Sequence, residues 1–314
     1  KMAAVNDPWM QIVVNIGIGA FSHPMGYVKT LIQLGYEPLP PRLGRNAFFR
    51  ECYQLPGFLP YARHIYSVEG FTGLYRGFFP ALCQNFISGA VLRSVSEKMD
   101  ELFPVVDESE KKALAKKRPE LASVSFHTFM LQMSKDSVAH LCAVVVSQPF
   151  NVIMIRSMAQ FIGKETKYSG WISPYFEVYN DSGIRGLFTG LAPRLLLDLM
   201  TLWLARTMYY SFNRLVVDEN MTNVSELRSY ANIITGFLAS MLTYPFSLIS
   251  SNYIVNNSGL LAGTAPYVPV YMNWVDCWRD LRNRGLLKRG SSLFFRRYNA
   301  KMVVFQPEPV TPLD

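Results

Sequence analysis

Lys29, Arg93, Asp136, Arg156, Asp198 and Arg206 each sit inside a long run of apolar residues, and His140, Asn151 and Arg194 join them there. A charge at the centre of a spanning helix costs roughly 2.5–3.5 kcal/mol on insertion scales, so such groups face protein or water rather than lipid. A cavity that admits water keeps them ionised more cheaply than hydrocarbon does. The spacing leaves two readings open. Asp136 and His140 are four residues apart, as are Arg194 and Asp198, so each pair could close on its own helix; equally, the whole set could line a polar cavity. Lys29 has no acid within its own segment, which makes its partner remote, with Asp198 and Asp136 the candidates.

Other chemistries lack their residues. There is no P-loop, no G-x-S-x-G and no H-E-x-x-H, and the sequence predicts neither an enzyme nor a cofactor. Cys52, Cys83, Cys142 and Cys277 are scattered without C-x-x-C spacing, and His64 and His127 lie far from any cysteine or acid cluster, so no metal site is expected. His23, directly before Pro24, reads as a packed, hydrogen-bonded residue and not as a ligand. A net charge of +8 would suit nucleic acid, but no basic run is dense enough for a groove contact. Anionic lipid headgroups are the better match, because the positive residues gather at the ends of the apolar segments.

The elements that must carry these residues are membrane helices. Half of the 314 residues are hydrophobic, only 17% are charged, and mean hydropathy is +0.11. Windows near 9–35, 78–99, 126–162, 190–217 and 229–255 each exceed the roughly 20 residues that a spanning helix needs. The first, third and fifth share a helix-kinking device at Pro24, Pro149 and Pro245, in "SHPMGYVK", "SQPFNVIMIR" and "TYPFSLIS". Glycine-rich turns lead into the second and fourth, in "EGFTGLYRGFFPALCQ" and "DSGIRGLFTGLAPRLLLD", with a third copy in "NRGLLKRGSSLFFRR". Short amphipathic stretches, "LPYARHIYSVEG", "ISPYFEVYNDSG" and "VDCWRDLRNRG", precede them and read as surface helices.

The organisation expected is therefore one membrane domain over 1–314: repeat one at 8–105, a charged linker at 101–124, repeat two at 125–218 and an incomplete repeat three at 228–298. After Arg297 the sequence is too short and proline-rich for a sixth span. The fold class is all-α, with about five transmembrane helices in a threefold pseudo-repeat. With the sixth helix missing, the polar interior would open sideways as a groove. Gly19, Gly236 and Ser240 are read as points where helices approach closely.

This threefold unit of proline helix, surface helix, glycine motif and second helix resembles the mitochondrial solute carrier family over nearly the whole chain. Carriers place P-x-[DE]-x-x-[KR] on each odd helix. Here the acid positions are Gly26, Asn151 and Ser247, and the base positions are Lys29, Met154 and Ser250. The even-helix motif [FY]-[DE]-x-x-[KR] survives only as Tyr210-Ser211-Phe212-Asn213-Arg214. "YVKTLIQLGYEPLPPRLGRN", "RSMAQFIGKETKY", "GFLASMLTYPF" and "SLFFR" are similar to a divergent branch, the mitochondrial carrier homologue proteins. That resemblance implies a multi-pass protein of the outer mitochondrial membrane. It further implies an insertase for tail-anchored and other α-helical membrane clients, phospholipid scrambling, and docking of a proapoptotic Bcl-2-family protein. Solute transport of the carrier type and a receptor or scaffold role are the alternatives.

Overall fold

The computed structural model of the protein describes residues 8–45, 51–104, 126–215, 224–256, 258–265 and 268–298. Most of the charged linker and the tail on which the lack of a sixth span was read lie outside the described residues.

Each of the five apolar windows forms a long helix: α1 (Pro8–Leu34), α3 (Phe78–Leu102), α4 (Phe126–Ala159), α6 (Leu191–Leu215) and α7 (Val224–Val255). By length and composition, α4 and the Glu226–Val255 part of α7 are apolar enough to cross a membrane, with mean hydropathy of 1.8 and 1.5 in their best windows. A third span qualifies if α6 is counted with the helix before it, to which it is bent by 48°. α1 and α3 have the length, but polar residues such as Asn15, His23 and Arg93 interrupt their apolar runs. α1, α4 and α7 run through Pro24, Pro149 and Pro245 without ending, although each proline removes one backbone donor.

The three amphipathic stretches also fold as helices: α2 (Phe58–Gly73), α5 (Ser173–Leu187) and α8 (Trp274–Asn283). Gly70 and Gly183 break α2 and α5 at φ of 74° and 63°. Gly77 and Gly190 then turn the chain into α3 and α6 at φ of 76° and 74°, a conformation that L side chains resist. Pro80 and Pro193 follow in the first turn of each helix, where a missing N–H is harmless. α1 and α8 end alike. Gly35 donates to Ile32 O and Tyr36 to Leu31 O, while Gly285 donates to Arg282 O and Leu286 to Leu281 O, the paired bonds of a Schellman cap.

The strands have no counterpart in the sequence reading. A small antiparallel sheet orders β1 (Arg42–Arg45), β2 (Glu51–Leu55) and β3 (Arg296–Arg297), with Arg42 opposite Gln54 and Leu55 opposite Arg296. Its strands are two to five residues long and rich in charge, so no alternating pattern announces them.

The chain divides into two compact units, residues 1–84, 148–190 and 248–314 forming one and residues 85–147 and 191–247 the other. The first has a conventional core, built on Tyr27, Leu31, Ile32, Tyr61, Ile65, Val152, Ile153, Ile254 and Leu260. The second is packed thinly. Its buried positions are mostly small, as in the α7 row Ala231, Thr235, Ala239 and Thr243, while Phe86, Trp203, Ile233, Phe237 and Met241 point outward. Small residues inside and large apolar ones outside are what a lipid solvent favours.

Candidate functional site

Within the second unit a polar seam joins α4 to α6. Asp136 Oδ2 lies 2.9 Å from Arg206 Nη2, Trp203 Nε1 donates to Ser137 Oγ at 2.9 Å, His140 Nδ1 and Asp198 Oδ2 are 2.9 Å apart, and Arg194 Nη2 donates to Ser147 Oγ at 3.3 Å. As the α4 numbers rise the α6 numbers fall, so the helices run antiparallel and one face of each meets the other over about 16 Å. Phe129 stacks on Tyr210 at 4.5 Å beyond the Asp136 end. Gln132 Nε2 also donates to Asp136 Oδ1 at 3.0 Å. The ion pairs are not sealed: Asp198 is 37% exposed and Arg206 52%.

Both acids are thus taken by bases on the other helix. The four-residue spacing that could have closed Asp136 on His140 instead puts like-facing groups in line for a neighbour. Two links escaped the sequence reading. Lys135, only 4% exposed, donates to Asp100 of α3 at 3.0 Å, and Thr201 meets Thr243 of α7 with 2.7 Å between the hydroxyls. The first had a signal. A lysine within an apolar helix requires an acid, and Asp100 stands near the end of the preceding span.

Arg93 on α3, the last of the charges singled out in this unit, is exposed and forms no ion pair or hydrogen bond with a described residue. Close packing at the small residues is corrected by the structure. A Cβ added at Gly19 or Gly236 would meet nothing within 4 Å, and Ser240 is exposed with its hydroxyl turned back to Phe237 O.

The first unit holds the other singled-out residues. Lys29 is half-buried on α1, and Asn151 is buried on α4. Arg156, 2% exposed, donates through Nε to Ile254 O at 3.2 Å and through Nη1 to Tyr168 Oη at 3.3 Å. It satisfies the open carbonyl end of α7 from inside the core, which is a structural task. Asn252 does the same for α1, donating to Gln33 O at 3.0 Å, so the odd helices are tied end to end around this unit. Arg156 and Asn252 each stand seven residues after their helix's proline. His23 is the packed residue expected of it, with Nε2 3.1 Å from Arg76 O and its ring against Phe78. Glu37 pairs with Arg296 in full burial; desolvation pushes its carboxyl up, and the guanidinium draws it partly back. Burial also pushes the Cys277 thiol up to about 12. Among the described residues no group of histidines, cysteines and acids could hold a metal ion.

Comparisons with known proteins bear on the fold and its origin. The chain matches the mitochondrial carrier protein family in two copies, residues 14–106 and 127–220. It is 42% identical over 291 residues to Mitochondrial carrier homolog 2 of Homo sapiens, covering 93% of this chain and 94% of that protein. Mitochondrial carrier homolog 1 of Mus musculus is 37% identical over 309 residues, 92% of this chain and 76% of that protein. A more distant relative, Nicotinamide adenine dinucleotide transporter 2 of Arabidopsis thaliana, is 23% identical over 252 residues. With two carrier repeats matched, a helical fold of span-length elements and this identity along almost its whole length, the chain belongs to the mitochondrial carrier family, in its carrier-homologue branch, and is a mitochondrial membrane protein.

Proposed function

We propose that the protein is an insertase of the outer mitochondrial membrane. In this reading the polar tail of a client helix, above all a tail-anchored one, crosses the bilayer core along polar helix faces open to lipid on one side, while its apolar segment stays in lipid. No nucleotide, metal or covalent step is involved. The observation that carries the reading is the polar seam of α4 and α6, whose ion pairs lie within span-length helices and are still partly open to solvent.

The altered gates point the same way. A carrier that alternates access needs matched acid and base pairs that break and re-form, and Gly26, Asn151 and Ser247 have no carboxylate to offer. The path suits a phospholipid headgroup as well as a peptide tail, so lipid scrambling belongs to the same proposal. Docking of a proapoptotic Bcl-2-family protein rests on the resemblance alone. Solute exchange is the competing reading, favoured by family membership.

Charge reversal tests whether these charges form the working surface. Asp198→Arg and Lys29→Glu, each purified as folded protein and reconstituted, should change the rate of tail-anchored helix integration by about threefold or more, given what a charge at depth is worth. Unchanged rates in both folded variants would remove the polar face from the mechanism.

A further inference from the structure

We infer that His140 is a proton-controlled latch on the polar seam, holding α4 to α6 while its ring is charged and freeing the path once the ring is neutral; this rests on the insertase reading above. A histidine gains or loses its charge between about pH 5 and 8, whereas the other bases of the seam, Arg206 and Arg194, stay charged throughout that range. His140 stands between them. Arg206 meets Asp136 on the near side of it along α4, and Arg194 meets Ser147 on the far side.

The geometry fixes which proton moves. His140 Nδ1 lies 2.9 Å from Asp198 Oδ2, and an ionised carboxylate only accepts, so Nδ1 carries a hydrogen in both states and Nε2 is the nitrogen that titrates. With Nε2 protonated the two helices share an ion pair; with Nε2 bare a single hydrogen bond from a neutral donor remains. The histidine side chain is 33% exposed and the aspartate 37%, so solvent exchanges that proton without the helices parting. Among the described residues, the charged groups that act on His140 are Asp198 and Arg206 of α6 and Asp136 of its own helix, and Asp136 is held by Arg206. α3 and α7 reach these helices through Asp100 on Lys135 and Thr243 on Thr201, and add no charge to that set. The pair thus sits within the seam that the client tail is proposed to follow, and the loss of one proton there weakens the contact that a passing polar group has to displace.

The test uses the full-length protein in phosphatidylcholine liposomes and a model helix whose tail of glutamines and C-terminal amide has no titratable group, so that pH acts on the protein alone. Insertion should run about threefold faster at about pH 8 than at about pH 5.5, the worth of one partly solvated ion pair, through a one-proton transition. His140→Gln should give a flat profile at the fast level and His140→Lys a flat profile at the slow one, because an ammonium stays charged across the range. Asp198→Asn removes the other half of the latch and should flatten the profile as well, whereas His64→Gln, on the surface helix α2, should keep it. A rate that falls as pH rises, a profile that survives His140→Gln or Asp198→Asn, or one that is lost in His64→Gln would overturn the assignment. So would insertion by the unaltered protein at one rate across the range, with the insertase reading left standing. If the unaltered protein inserts the helix at no pH, the insertase reading itself fails and this inference with it.

Discussion

A buried cation and a half-exposed one depend on their acids to different degrees. Lys135 has its ammonium almost wholly out of solvent and one acid, Asp100, beside it. His140 and Asp198 are each about one-third exposed. Removing Asp100 leaves a buried charge uncompensated, whereas removing Asp198 leaves a histidine that can lose its proton. Asp100→Asn should therefore destabilise the protein by roughly 2–3 kcal/mol, and Asp198→Asn by about 0.6 kcal/mol, the average measured for interhelical hydrogen bonds in membranes. Thermal unfolding in detergent at constant ionic strength orders the two, and a larger loss at Asp198 would reverse their structural ranking. That charges fall inside apolar runs was legible in the sequence. Their partners were not, because a four-residue spacing says that two groups share a face but not which neighbouring helix that face meets.

Helices of this chain are started and stopped by glycine and proline, and those signals were readable. All five span-length windows, the three amphipathic helices and the prolines in the first turns of α3 and α6 stand where apolar length and turn residues put them. The three-stranded sheet was not readable, since "RLGR" and "ECYQL" are too short and polar to carry a period. Glycines separate into two kinds that sequence cannot tell apart. A Cβ at Gly77 would lie 3.0 Å from Met154 O, and one at Gly190 would lie 2.7 Å from Ile254 Cγ1, both at positive φ. Gly19 and Gly236 are helical with open space before them. Gly77→Ala and Gly190→Ala should each cost about 2 kcal/mol or more through strain and overpacking. Gly19→Ala and Gly236→Ala should instead be neutral or raise stability by up to about 1 kcal/mol, from helix propensity alone. Melting temperatures of the four variants decide this, and destabilisation at Gly19 or Gly236 would restore the close-packing role.

At the scale of the molecule, the two units show different logics of stability. The first is closed by polar groups joining distant parts of the chain: Arg296 with Glu37, Arg289 with Gln33 O and Asn252, Arg156 with Ile254 O. Such buried and satisfied networks fix a unique arrangement. The second has little apolar core and a seam of partly solvated ion pairs. Interhelical polar contacts in membranes are individually weak, so a structure joined by them can yield to a passing polar group. A solute carrier needs tight, matched gates, and an insertase needs a polar face that a client can enter from lipid.

The measurement that separates these is made with the purified protein alone in sealed liposomes, following a fluorescent tail-anchored helix by protease protection and a radiolabelled nucleotide by uptake. Protein-dependent protection of the tail, with no exchange of solute, is the result expected of an insertase. Solute exchange with no gain in tail protection would contradict it and return the protein to the carriers.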